Sequence, residues 1–143
     1  QAFTRPLARI MKISTKSRYG MRFMIDLAQH YGEGPIALKD VAERQSISKK
    51  YLEQVVAPLS SKGLLSVTRG YMGGYQLSRS PEKITLEDVV SASEDGLDLM
   101  DCISGHIRCD RADGCTSQKV WGGLQQTMRD YLASKTLADI ISA

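Results

Sequence analysis

Between Leu38 and Leu77 the spacing of apolar residues changes once, and that change limits what the chain can fold into. Leu38, Val41 and Ala42 fall at helical spacing, so a short helix is expected over 38–45. Ser46-Ile47 breaks it tightly. Ser48 is placed to cap a second helix, because its hydroxyl can accept an early backbone N–H. Leu52, Val55, Val56 and Leu59 then recur at i, i+3, i+4 and i+7. Pro58 cannot donate to the carbonyl of Gln54, so a kink is expected in the last turn, and Gly63 suits the stop. From Leu65 the period is two. Leu65 and Val67 alternate with Ser66 and Thr68, Arg69-Gly70-Tyr71-Met72-Gly73-Gly74 turns the chain, and Tyr75-Gln76-Leu77 returns. Two short helices, a tight break and a glycine-rich hairpin make a winged helix-turn-helix.

The flanking segments read as helices. From Thr15 to Tyr31, Met21, Met24, Ile25 and Ala28 form one apolar face. Ser14 or Thr15 can cap the start, and Gly32 with Gly34-Pro35 ends the run. Lys16, Arg18 and Arg22 stand on the other face. Thr85-Leu86-Glu87-Asp88 carries a capping-box pattern. Gly96 to Cys115 reads as a loop. Thr116 to about Ser134 reads as a long helix with a broad apolar stripe of Val120, Trp121, Leu124, Met128, Tyr131 and Leu132, and a short turn over Thr136–Ile141 closes the chain. The expected fold is mainly α with a small β-hairpin wing: a winged helix-turn-helix plus a long C-terminal dimerisation helix. Residues 1–10 are expected to be a leader outside the fold, 11–80 the winged helix-turn-helix domain, and 81–143 the cysteine loop and dimerisation helix region.

Charge separates the two halves. Residues 1–80 carry thirteen Lys/Arg against five Asp/Glu, and residues 81–143 carry six against eleven. A basic half suits a polyanion. Ser48, Lys49, Lys50, Tyr51 and Gln54 open the second helix of the motif, the part that meets base edges in the major groove. Gln can pair bidentately with adenine, whereas Lys suits phosphate. Arg69 beside three glycines suits a narrow minor groove. An enzyme is not expected: Cys-x-x-Cys is absent, no Ser/His/Asp set stands out, and His30 and His106 are the only histidines. No run is long and apolar enough to span a bilayer, and no secretory signal is evident. A cytoplasmic protein with no membrane role is expected.

Met11-Lys-Ile-Ser-Thr-Lys-Ser-Arg-Tyr-Gly20, Ser48-Lys-Lys-Tyr-Leu-Glu-Gln54 and Arg69-Gly-Tyr-Met-Gly-Gly-Tyr75 resemble the signature segments of the Rrf-two family of bacterial transcription regulators. The resemblance runs from Met11 to the C-terminus. It implies major-groove roles for Ser48, Lys50, Tyr51, Glu53 and Gln54. It also implies a minor-groove role for Arg69 with Gly70, and backbone contacts for Thr15 and Lys16. It further implies a homodimer on a pseudopalindromic site, with Trp121, Leu124, Met128 and Tyr131 at the interface.

Cys102, Cys109 and Cys115 all fall in one Gly- and Asp-rich stretch. An odd count without a secretory signal argues against a disulfide framework. Three thiolates on one loop suit an iron–sulfur cluster or zinc, and a thiol switch stays open. The resemblance favours the iron–sulfur, IscR-like branch and a 2Fe–2S cluster. That branch often adds a His three residues after the last Cys, where this chain has Gln118. Arg18 and Arg22 cannot ligate, Asp26 lies far along its helix, and Asp110 and Asp113 lie in the loop with His106, which ranks first as fourth ligand. The first helix looks CymR-like, so the alternative is a metal-free regulator of CymR kind, responding to a partner protein, a small molecule or thiol oxidation.

Overall fold

The structure is a computed structural model, and it describes residues 13–93 and 116–143. Its first helix, α1, spans Thr15–Gln29 and starts where the Ser14 hydroxyl accepts the N–H of Ser17 at 3.1 Å. Phe23, Met24, Leu27 and Ala28 are buried, whereas Met21 and Ile25 are half-buried. The inward face is therefore centred nearer Phe23 and Leu27 than the expected Met21–Met24–Ile25–Ala28 stripe. The cause is the number of partners: α1 meets helices on several sides and the hairpin as well.

The helix α2 spans Leu38–Gln45 and α3 spans Lys49–Ser61. Between them Ser46 takes the left-handed conformation, φ 53° and ψ 45°. This costs a non-glycine residue about 1–2 kcal/mol, and two hydrogen bonds offset it. The N–H of Ile47 donates to the carbonyl of Ala42 at 3.0 Å, and that of Ser46 to Glu43 at 3.2 Å. The same double closure ends α3, with Gly63 at φ 80°. The Ser48 hydroxyl caps α3 by accepting from Tyr51 N–H at 3.2 Å. Leu52, Val55, Val56 and Leu59 are buried as their spacing requires, and the helix continues through Pro58 to Ser61.

Strands β1 (Leu65–Thr68) and β2 (Gly74–Leu77) pair antiparallel, Leu65 opposite Leu77 and Thr68 opposite Gly74. On its other edge β2 bridges Ile36 through two backbone bonds of 3.0 and 2.8 Å between Ile36 and Tyr75. Of β1 only Leu65 is buried, and Val67 stands half exposed. The alternation thus buries one residue of β1 only, because β2 is the strand held to the body, through Ile36 and the packing of Tyr75, and β1 is the outer strand of the wing.

A 3-10 turn over Pro81–Lys83 leads to α4, Leu86–Ser93. Its cap is reciprocal: Asp88 N–H donates to the Thr85 hydroxyl at 3.0 Å, and Thr85 N–H to the Asp88 carboxylate at 2.9 Å. The last helices are α5, Thr116–Ser134, and α6, Leu137–Ile141. Leu137 is fully buried and its N–H donates to Ile84 at 3.0 Å. The end of the chain therefore shares one apolar core with Phe23, Val41, Leu52, Val56, Leu59 and Val89. Across the core, α1 and α4 approach so closely that a Cβ on Gly20 would lie 2.7 Å from Ser93 Oγ.

The wing's glycines are set by the protein itself. A Cβ on Gly73 would collide with the Thr68 carbonyl, and one on Gly74 with the Ile36 carbonyl. Gly74→Ala is expected to cost about 2–3 kcal/mol by forcing two backbones apart. Chemical denaturation measures this, and a loss below about half a kcal/mol would refute the close packing.

Candidate nucleic-acid interface

The exposed side of α3 follows from its buried side. With Leu52, Val55, Val56 and Leu59 inward, Lys49, Lys50, Glu53 and Gln54 are left in solvent. Ser48 is also exposed, with its oxygen engaged as the cap. Tyr51 differs from the rest. It is half-buried, its ring meeting Tyr19 of α1 edge-on at 5.5 Å and 80°. Thr15 and Lys16 are exposed and precede Tyr19 by four and three residues, so they share its side of α1. The Tyr19–Tyr51 contact therefore places the start of α1 beside the start of α3.

Arg69 and Gly70 lie at the exposed wing tip. Gly70 has φ 108°, a conformation that side-chain-bearing residues rarely adopt, and its carbonyl accepts from Gly73 N–H at 3.0 Å. Tyr71 and Met72, held between these glycines, project fully into solvent.

Between α1 and α2 lies a polar cluster that the apolar periodicity does not reveal. Asp26 is only 1% exposed. Arg44 grips its carboxylate with Nη2 at 2.7 Å and Nε at 3.1 Å, and Gln45 Nε2 donates to it at 3.0 Å. His30 Nδ1 lies 2.8 Å from the Asp26 carbonyl oxygen, so that nitrogen carries the proton. Arg22 donates from Nε to the Gln45 side-chain oxygen at 3.2 Å and from Nη2 to the Gln45 backbone carbonyl. It also lies 5.2 Å over the ring of Tyr19. Burial pushes the Asp26 carboxyl up, but the bonds from Arg44 and Gln45 and the Arg44 charge outweigh it and hold the group below its ordinary range. The available signal was an aspartate amid Phe23, Met24 and Leu27, with an arginine four residues before it.

Cys102, Cys109, Cys115, His106, Asp110 and Asp113 lie outside the described residues. Among the described residues no group of three His, Cys, Asp or Glu side chains could hold a metal. The Asp26 carboxylate is engaged by Arg44 and Gln45. On α5 the described stripe faces outward. Val120, Trp121, Leu124 and Tyr131 are exposed, Met128 is half-buried, and Leu132 packs on the core.

A capped helix beyond a tight turn, bare on its outer face and followed by a projecting hairpin, defines a winged helix-turn-helix protein. The pattern of the Rrf2 (Rrf-two) family, described as an iron-dependent transcriptional regulator, matches residues 13–143. Protein rrf2 of Nitratidesulfovibrio vulgaris is 40% identical over 131 residues, 92% of this chain and 87% of its own. The solved structure of T. potens IscR shares 40% identity with a TM-score of 0.75, covering 92% of this chain and 86% of that one. The structure of CymR, the global cysteine regulator of B. subtilis, shares 36% identity with a TM-score of 0.78, covering 93% and 98%. The chain belongs to the Rrf2 family of DNA-binding transcriptional regulators.

The Asp26 cluster carries a pH signature. Its folded carboxyl lies below the unfolded value of about 3.9, so its stabilisation is complete above that value and lost as pH falls through the folded one. Asp26→Asn should therefore flatten the acid limb of stability below about pH 4 and lower stability at pH 7 by about 1–3 kcal/mol. Denaturant titrations at several pH values read both effects, and parallel wild-type and variant curves would contradict the pairing.

Proposed function

We propose that this regulator binds double-stranded DNA as a homodimer, reading each half-site with α3 and the wing. Glu53 and Gln54 meet base edges in the major groove with Ser48 and Tyr51 beside them, Lys49 and Lys50 meet phosphates at its edge, and Arg69 with Gly70 enters the minor groove. Thr15 and Lys16 meet the sugar–phosphate backbone. The observation that carries this reading is the outer face of α3, which is bare and polar while its inner face is wholly buried. The outward stripe of Trp121, Leu124 and Tyr131 on α5, with Met128 at its edge, supports a second copy as its cover. A twofold dimer reads a pseudopalindromic site with its helices about one helical turn apart. The setting is the cytoplasm.

DNA binding is modulated by a 2Fe–2S cluster held by Cys102, Cys109 and Cys115, with His106 the first candidate for the fourth position. The donor set fits: three thiolates are the ligands such a cluster takes. When bound, the cluster supplies a redox- and iron-responsive centre. The chain's contribution is to tie that loop to both parts of the device, since it runs from the end of α4, in the core of the head, to the start of α5. A coupling of about 1–3 kcal/mol between loop and DNA suffices for control.

Arg69→Ala should weaken binding and relax preference at the wing, whereas Lys50→Ala should reduce the salt slope by about 1. Fluorescence anisotropy at several salt concentrations separates the two, and unchanged binding in both would refute this contact surface. Protein purified anaerobically should be coloured and hold about two irons per subunit. Colourless protein lacking iron and labile sulfide after reconstitution would remove cluster control and leave the metal-free alternative.

A further inference from the structure

We propose that Tyr19, Arg22 and Asp26 are positioning residues that set the angle at which α3 is presented to DNA, so that they govern sequence discrimination without touching a base. The inference rests on α3 being the reading helix. An unbroken line of contacts joins three helices. Tyr51 of α3 meets Tyr19 of α1, and Arg22 of α1 lies over Tyr19. Arg22 then grips Gln45 at the end of α2, Gln45 donates to Asp26, and Asp26 holds Arg44.

Gln45 is the hub, and its amide has one orientation. Arginine only donates and an ionised carboxylate only accepts. The Gln45 oxygen must therefore face Arg22 and its nitrogen Asp26, as found at 3.2 and 3.0 Å. Rotating the amide by half a turn loses both bonds. Gln45 is also the last residue of α2, directly before left-handed Ser46 and three residues before the cap of α3. The cluster thus fixes the hinge from which α3 departs.

The apolar contacts beneath α3 cannot do this alone. Burial of Leu52, Val55 and Leu59 is non-directional and tolerates small rotations, whereas the five side-chain bonds among Arg22, Asp26, Arg44 and Gln45 are directional. Buried ionic groups are weak sources of net stability, and in some proteins they specify register or geometry instead. The consequence lies at the surface. Lys16 belongs to α1 while Lys50 and Gln54 belong to α3, so one rigid duplex meets both sets only at the correct inter-helix angle.

The test uses the full chain and two duplexes of equal length, one enriched from a random pool by the wild-type protein and one of random sequence. Fluorescence anisotropy gives the ratio of the two affinities, and circular dichroism gives each melting temperature. Asp26→Ala should lower the ratio about tenfold while random-sequence binding and its salt slope stay near wild type. Gln45→Leu, which keeps volume but loses both amide bonds, should do the same and serves if Asp26→Ala does not fold. Ile84→Val, a core change outside the cluster, is the control and should lower the melting temperature with the ratio unchanged. An unaltered ratio in the cluster variants, or an equal fall in the control, would overturn the inference. A wild-type protein that enriches no sequence would instead overturn the reading of α3 on which it rests.

Discussion

The burial of the Phe23–Met24–Leu27 side of α1 is the constraint from which the rest of the architecture follows. This helix supplies the surface on which α3, α4, α6 and β2 all pack. None of these elements is long enough to bury its apolar side alone, and α2, α4 and α6 are each of eight residues or fewer. Short helices draw their stability from tertiary contact rather than propensity. The exposed positions of α1, Thr15, Lys16, Arg18, Arg22 and Gln29, are polar, whereas Asp26 is buried among its apolar ones. Arg22 and Asp26 sit where its apolar surface ends and α2 begins, so the polar cluster and the apolar core are neighbours on one helix.

Legibility from sequence varies with how locally each feature is determined. The break at Ser46-Ile47, the Ser48 cap, the Leu52–Leu59 face and the Thr85–Asp88 box are set within a few residues, and each lies where the spacing places it. The face of α1 was misjudged by about one position, because a helix with several neighbours has no single stripe for periodicity to report. Val67 lies in the expected strand, yet half exposed. Alternation marks a strand, but cannot say how many of its residues lie over the core. The Asp26 cluster joins positions eighteen to twenty-three apart, and no local pattern encodes such pairings.

The wing illustrates how an observation can change its meaning. Three glycines beside Arg69 read as freedom for the backbone to approach DNA. Only Gly70 has positive φ there, whereas Gly73 and Gly74 are demanded by contact with Thr68 and Ile36. Internal packing thus accounts for two of the three, and it anchors one end of the hairpin. The result is a stiff base and an exposed tip bearing Arg69, Tyr71 and Met72. A stiff base lowers the ordering cost of binding, which flexible loops must meet at the moment of contact.

The same logic connects the reading head to the far end of the chain. Leu137 lies in the core on a helix that packs against α1, and the Lys135 carbonyl accepts the N–H of Leu86 at 2.9 Å, so the start of α4 and the end of α5 are fastened together at the head. Between them α5 packs against α4 and brings Leu132 onto the core. A displacement of α5 therefore bears on α4, and α4 packs on α1 at the Gly20–Ser93 contact and on α3. Through α1 it reaches the helix that carries Tyr19, Arg22 and Asp26. Displacements of the C-terminal helices thus meet α3 through a surface with little room to yield, where a shift is passed on to the next helix.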